Sequence, residues 1–321
     1  MSLSLPAGFI ARGMRANDAA VIRGLVSDCQ RAEFGVPDPA MLEGVELTWG
    51  APGFDGERDA WAISAPGGRL AAYAHLGPTR MHEYVHAFVH PDFSGRGLGS
   101  WLIQQSEARA RQRLAEHSFS DGTAGDGGRL EQWVAAPNMA GHELMRQHGY
   151  DEVRHIWGMV IALAAPPEPL ETPPGITIRA AVTEDDLRRA HAANDEAFRD
   201  SWHYEPRTYE QFRSQLVDIP AFDPSLWLLA LDGDEVVGTA LGEVLGERGW
   251  INEVTVRCPW RGRGVAIALL HRAFGEFYRR GIREVGLGVD AQNPTGATRL
   301  YQRAGMRVER QYDVFEKVIK G

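Results

Sequence analysis

Cysteine is scarce: Cys29 and Cys258 are the only two in 321 residues. Neither sits in a Cys-x-x-Cys or similar spacing, which excludes a disulfide framework and a structural zinc site as organising features. The usage fits a reducing cytoplasm. Positive charge is the smaller share, 34 Lys and Arg against 43 Asp and Glu, for a net charge of −9. Such a chain carries no global electrostatic footprint for nucleic acid. No apolar run approaches the roughly 20 residues that a membrane-spanning helix needs. Residues 1–6 are too short and too weakly apolar for a signal peptide. The expectation is a cytoplasmic protein with neither nucleic acid nor membrane as a partner. A hydrophobic share of 44% is ordinary for a packed globular chain, and the length suggests two domains.

What the chain does contain is a repeat, the feature to seek first. Gly8-Phe9-Ile10-Ala11-Arg12 resembles Gly175-Ile176-Thr177-Ile178-Arg179, 167 positions on, and Asp18 faces Asp185 at the same offset. Residues 61–65 resemble 227–231 at offset 166. The best match sets 89–99 against 256–266, again at 167, and 144–149 matches 300–305 at 156. The first copy thus carries about eleven extra residues, assigned to the Gly-, Ser- and Asp-rich stretch 118–128. Between the copies, residues 164–174 hold five prolines in eleven positions, which no regular helix or central strand accommodates. The expected organisation is a first domain over 1–163, a semi-rigid linker over 164–174 and a second domain over 175–321.

The second copy reads more cleanly. Alternation over 176–180 predicts a strand. Thr183 is a helix N-cap with acidic residues in the first turn, predicting a helix over 183–198. A helix follows over 208–216, then a hairpin over 226–241 and a strand over 250–256. Ile267, Leu270, Phe274 and Phe277 recur every three or four residues, predicting a helix over 264–280 with Gly281 past its end. A strand over 284–289, a helix over 295–304 and one or two closing strands over 306–318 complete the copy. Strands and helices mixed around one sheet make an α/β or α+β domain.

Between the strand over 250–256 and its following helix lies Arg261-Gly262-Arg263-Gly264-Val265-Ala266. Small residues let backbone approach a ligand closely. Amides at a helix N-terminus form an anion site, and arginines add donors suited to phosphate. A pyrophosphate is the natural occupant; a plain tight connection is the alternative. The turn recurs in the first copy after Val89, as Ser94-Gly95-Arg96-Gly97-Leu98-Gly99. It lacks the Gly-Lys-Ser/Thr ending of a Walker loop. It does not open the first βαβ unit of a copy, as a dinucleotide fingerprint would.

With Val256 before it, this turn resembles motif A of the GNAT acetyltransferases, whose core is Arg/Gln-x-x-Gly-x-Gly/Ala. Asn293-Pro294-Thr295-Gly296-Ala297, with Leu300-Tyr301 and Ala304-Gly305-Met306, resembles motif B of the same superfamily. The resemblance covers both copies, and the tandem arrangement is similar to mycothiol-synthase-like two-domain GNAT proteins. It implies two GNAT folds and acetyl-CoA as co-substrate. No metal is expected from the residues, because His82 and His86, four apart, fall in a strand pattern that separates them. The pyrophosphate would lie on the motif A backbone, and the pantetheine between the strands over 250–256 and 284–289, paired with Val254, Thr255 and Val256. An amide of Val254 or Thr255 would polarise the thioester carbonyl. Asn293 would hold the pantetheine or cap the last helix.

By the same resemblance Tyr301 is the general acid that protonates the departing thiolate. Glu253 shares a strand face with Thr255 and is the candidate base, directly or through water; Glu243, one strand earlier, is its rival. In the first copy Ser94 replaces the leading Arg, and Met145 stands where the second copy has Tyr301. Methionine has no proton to give. Acid catalysis at that position is excluded, while backbone phosphate binding by Val89, Gly95, Arg96, Gly97 and Gly99 survives. The expectation is one active site, in the second copy, acting on the primary amine of a small molecule. The acceptor wall would fall in 194–205, with Trp202 and His203 as candidate contacts. Two other readings stay open: a non-catalytic acyl-CoA-binding protein, and transfer of a longer acyl group. A monomer and a homodimer are both compatible with the sequence.

Overall fold

The computed structural model describes residues 4–51, 53–77, 82–121, 128–168, 170–199, 201–202 and 204–319. In chain order the elements are β1 (Ile10–Arg12), α1 (Ala19–Phe34), α2 (Pro39–Trp49), α3 (Gly56–Asp59), β2 (Ala60–Ser64), β3 (Leu70–Gly77), β4 (His82–Val89), α4 (Leu98–Asp121), β5 (Gly128–Ala135), α5 (Met139–Gln147) and β6 (Asp151–Ala162). There follow β7 (Ile176–Ala180), α6 (Glu184–Phe198), α7 (Tyr209–Leu216), β8 (Trp227–Asp232), β9 (Glu235–Leu245), β10 (Arg248–Val256), α8 (Val265–Arg279), β11 (Glu284–Asp290), α9 (Ala297–Arg303) and β12 (Arg307–Ile319). The expected helices and strands of the second copy are all present, with ends shifted by a few residues. Of the stretch 118–128, α4 takes residues up to Asp121, and 122–127 lie outside the described residues.

The compact units differ from the expected cut at the Pro-rich segment. One is Met1–His155 with Arg310–Gly321; the other is Ile156–Glu309. The reason is an exchange of closing strands. In the first unit β5 takes its outer partner from the end of the chain, Tyr312↔Ala135 through Ile319↔Gly128. In the second unit β11 is closed by the earlier strand, Glu284↔Ala162 through Asp290↔Ile156. The Pro-rich segment therefore lies inside the second unit. His271 Nδ1 sits 3.2 Å from the Glu168 carbonyl, and Ile176 N–H donates to the Pro173 carbonyl at 3.0 Å.

The strand order is β1-β2-β3-β4-β5-β12 in the first unit and β6-β11-β10-β9-β8-β7 in the second. Each unit has one parallel pairing among those described, β4 with β5 and β10 with β11. Each sheet carries a core on both faces. In the second unit α8 packs Leu269, Leu270, Phe274 and Phe277 on one face, while Leu187 and Ala190 of α6 and Phe212 of α7 pack on the other. In the first unit α4 supplies Leu98, Leu102 and Ile103, and the opposite core contains Ile22, Leu25 and Val26 of α1. Two-sided cover explains why every residue of β3 is buried, and why β3 reads as a near-continuous apolar run. Burying a Phe such as Phe274 or Phe277 stabilises by about 1.5–3 kcal/mol.

The start of each copy is fixed by the same fork. Arg12 reaches both carboxylate oxygens of Asp18 at 2.6 and 2.7 Å, and Arg179 reaches both of Asp186 at 2.9 and 2.7 Å. The structural counterpart of Asp18 is thus Asp186, one residue beyond the Asp185 that the constant offset selects. Asp186 also takes part in the capping box of α6 with Thr183. Bidentate Arg179, working against burial, holds its carboxyl well below the usual range.

Candidate active site

β10 pairs with β11 at Gly249↔Val285 and Trp250↔Gly286, and no described pairing continues beyond that point. A bulge between Ile251 and Glu253 shifts β10 against β9 just where the parallel pairing stops. Arg257 N–H donates to the Val237 carbonyl at 2.9 Å. Bonded and non-bonded pairs alternate in an antiparallel ladder, so Thr255 and Glu253 are the residues that bond toward β9. Val254 and Val256 turn their N–H and C=O groups the other way, into the opening beside β11. Their side chains pack with the α8 core, while Thr255 is buried against α6.

The opening leads to the turn before α8. Gly262 (φ 76°) and Gly264 (φ 85°) occupy the left-handed region, and Gly95 (72°) and Gly97 (79°) repeat it in the first copy. An L side chain costs roughly 1–2 kcal/mol there, which is why both copies keep glycine. Gly264 is the N-cap of α8 and no side chain caps the helix. The first amides are left to an outside acceptor, reinforced by the helix dipole. Val265 is buried and Ala266 half-buried beneath them.

The two arginines of the turn divide their tasks. Arg261 is committed to the protein: its Nε donates to the Val256 carbonyl and an Nη to the Ala197 carbonyl, both at 3.0 Å. It ties the turn to β10 and α6, where a phosphate donor was expected. Arg263 is exposed, with no side-chain hydrogen bond or ion pair among the described residues. Asn293 accepts from Thr295 N–H at 2.9 Å and from its hydroxyl at 2.5 Å, closing a turn ahead of α9. The N-cap position itself belongs to Gly296.

Tyr301 lies on α9 within the α8-side core, 7% exposed. Burial pushes its phenol up to about 12, so the group stays protonated at neutral pH and can serve as a donor. Its counterpart Met145 is also buried, on α5. The backbone of the turn survives in the first copy. Gly99 sits so close to α5 that a Cβ would lie 2.7 Å from Leu144, Val89 is half-buried, and Arg96 lies over the Phe93 ring.

On the face opposite α8, Glu253 is embedded in a network. Arg207 donates to one of its oxygens at 2.6 Å and Asn194 to the other. Asn194 Oδ1 accepts from Thr239 at 2.5 Å and from Thr255 at 2.7 Å. Glu243 is 6% exposed and accepts from Asn252 Nδ2 at 2.6 Å. Burial raises its carboxyl pKa, against the opposing effect of that bond. Trp202 is half-buried in a turn after α6. His203 lies outside the described residues.

Sequence reasoning did not single out Asn194, Arg207, Thr239 or Asn252 as site residues. Asn194 left a signal: it falls on the buried stripe of α6 with Leu187 and Ala190, where a polar side chain needs partners. Arg207 precedes α7 in an irregular segment and leaves no periodic trace.

When Val89 is set on Val256, the registers place Tyr73, His75, His86 and Phe88 where the second copy has Thr239, Leu241, Glu253 and Thr255. His75 and His86 lie 5.2 Å apart between ring centroids, and both His75 ring nitrogens are buried without a hydrogen-bond partner among the described residues. Burial drives the pKa of His86 down to about 4; burial and then His86 drive His75 well below its usual value.

The fold, the diverging parallel strands and the glycine turn define an acyl-CoA-dependent acetyltransferase, and the chain belongs to the acetyltransferase (GNAT) family, whose sequence model matches it twice, over residues 26–150 and 187–306. Members of this family use acetyl-CoA as co-substrate, and the protein is an N-acetyltransferase. Among its relatives, a mycothiol acetyltransferase of Saccharopolyspora erythraea is 30% identical over 250 residues, 76% of this chain and 80% of the relative. A GCN5-related N-acetyltransferase structure from Sphaerobacter thermophilus is 41% identical with a TM-score of 0.85, covering 99% of this chain and 98% of that one. A tandem GNAT protein from the clavulanic acid biosynthesis pathway shares the fold at TM-score 0.70 and 15% identity, covering 98% and 99%. No helix among the described residues is long and apolar enough to cross a membrane.

Proposed function

We propose that the second unit transfers an acetyl group from acetyl-CoA to the primary amine of a small molecule by direct attack on the thioester. The observation that carries this reading is the opening beside β10. Val254 and Val256 turn backbone groups toward it, the Val256 carbonyl already accepting from Arg261, it leads to the bare amides before α8, and Tyr301 stands on α9. The pantetheine arm pairs with Val254 and Val256 as a strand would, and the diphosphate rests on the turn with Arg263 as its cation. The Val254 N–H polarises the thioester carbonyl and stabilises the tetrahedral oxyanion. The neutral amine attacks the carbonyl carbon, the C–S bond breaks, and Tyr301 protonates the departing thiolate.

Glu243 is the better base of the two carboxylates. Burial raises its pKa and so makes it the stronger proton acceptor, and Asn252 orients it. Glu253, with both oxygens engaged by Arg207 and Asn194, shapes the acceptor wall. The relatives named mycothiol acetyltransferase support a small-molecule amine as acceptor, and their acceptor is the first to assay. The first unit, with Met145 and an apolar, histidine-filled wall, binds acetyl-CoA without turnover or serves only as scaffold. Thiol release from acetyl-CoA across a panel of amines tests the reading. Tyr301→Phe is expected to lower kcat about 100-fold with the acetyl-CoA Kd retained. An unchanged kcat removes Tyr301 from the chemistry, and no heat of acetyl-CoA binding overturns the whole assignment.

A further inference from the structure

The first unit gathers a further set of chemistry-bearing side chains of its own. Asp313 of β12 is buried, and its two oxygens are held from different sides. His142 Nε2 of α5 meets Oδ2 at 2.8 Å; His155 Nδ1 of β6 and Gln311 Nε2 meet Oδ1 at 2.8 and 2.7 Å. Glu152, three residues before His155, completes the group. One ligand atom each from Glu152, His155 and Asp313 falls within 4.8 Å of the others. We propose that Glu152, His155 and Asp313 form a binding site for a zinc-class divalent cation, separate from the acetyl-transfer site.

The donor set decides the class. One imidazole and two carboxylates suit zinc, cobalt or nickel, whereas calcium and magnesium favour all-oxygen shells. Two carboxylates and a neutral imidazole balance the charge of a divalent ion. Metal–ligand bonds of about 2.0–2.2 Å in a tetrahedral site put the ligand atoms about 3.3 Å apart, so the present cluster closes around an ion with small side-chain shifts. His155 binds through Nδ1 once its ring proton moves to Nε2, which leaves the ring neutral. Asp313 is already aimed by His142, whose ring lies 5.5 Å from that of Phe315, the outer-shell support such ligands require. A competing cation among the described residues is Arg146, 3.0 Å from Glu152 and half exposed. An exposed ion pair of this kind is weak, and a divalent ion displaces it.

The placement gives the ion a task. His155 is where the chain leaves the first unit, and Asp313 lies just after it returns at Arg310. An ion held by both segments fastens the returning strand, and it stabilises the first unit in proportion to its occupancy.

The test uses the full chain stripped with EDTA and titrated with Zn2+ against a chromophoric chelator, then with Co2+ followed by visible absorption. One equivalent is expected to bind, with a Co2+ spectrum of low-symmetry nitrogen and oxygen ligation. His155→Ala should abolish stoichiometric binding. Glu152→Gln, at an exposed position that leaves the fold intact, should weaken binding by about ten-fold or more. No stoichiometric binding, or an unchanged affinity in Glu152→Gln, overturns the site. The readout is metal affinity, so it stands or falls independently of the acetyl-transfer reading.

Discussion

The two copies share a scaffold and differ in what lines it. Both keep a left-handed pair of glycines before the central helix, Gly95 and Gly97 in one, Gly262 and Gly264 in the other. Both pair their parallel strands over a short stretch only. They part on the walls. The second copy has Tyr301 on α9 within the α8-side core and a polar network of Asn194, Thr239, Thr255, Glu253 and Arg207 across the sheet. The first has Met145 and, across the sheet, Tyr73, His75, His86 and Phe88. Backbone conformation outlasts side-chain chemistry in such a duplication, because the turn is fixed by steric limits on φ. The walls carry no such limit on φ, and their side chains are the part that diverges.

If the two copies are comparable bodies, each closed by its own outer strand, removing residues 310–321 has the largest effect. Val314, Phe315 and Ile319 are essentially fully buried in the first unit. The truncated chain is expected to lose cooperative unfolding of the first unit while the second still binds acetyl-CoA, as read by calorimetry and circular dichroism. Retention of two unfolding transitions would restore the simple cut at the Pro-rich segment.

A smaller effect sharpens the difference in chemistry. Glu243→Gln should lower kcat about 100-fold. In the unaltered protein a base of raised pKa works only when ionised, so kcat falls as pH drops through that pKa. The variant is expected to lose this acidic limb. A profile of unchanged shape returns the base role to Glu253 or to solvent.

The smallest effect concerns the histidine wall of the first copy. His86 titrates near 4 in the folded state and His75 well below its usual value, against about 6.5 for each in the unfolded chain. Between those values the unfolded state binds more protons. The first unit is therefore fully stable above about pH 6.5 and loses stability as pH falls toward 4, by at most about 1.4 kcal/mol per pH unit for each histidine. Urea midpoints across that range check the slope. His86→Phe should flatten it, and an equal slope in the variant would rule the pair out as its source.

Much of this was legible in the chain. The repeat, the glycine turn and the periodicity of α8 follow from local rules that act within a few residues. Tyr301 and the counterpart Met145 follow from alignment of the copies. The role of Arg261 was not legible, because a guanidinium suited to phosphate is equally suited to two backbone carbonyls, and only the approach of α6 to the turn decides between them. The constant offset selected Asp185, but Asp186 holds Arg179, because the partner is chosen by the entry angle of α6. The relative merits of Glu253 and Glu243 also escaped, since each depends on partners distant in sequence, Asn194 and Arg207 for one, and burial in the sheet for the other.

The sequence by itself determined that there are two copies, what elements the later one contains, and that Tyr301 stands in it where the earlier one has Met145. Those properties rest on spacing, φ limits and side-chain identity, all local. Only the tertiary structure decided which strand closes which unit, whether Val254 or Thr255 faces the opening, and which carboxylate is free of an arginine. Each of these depends on register and on contacts between segments tens to hundreds of residues apart, where the free-energy difference between alternatives comes from pairing and burial that no local pattern records.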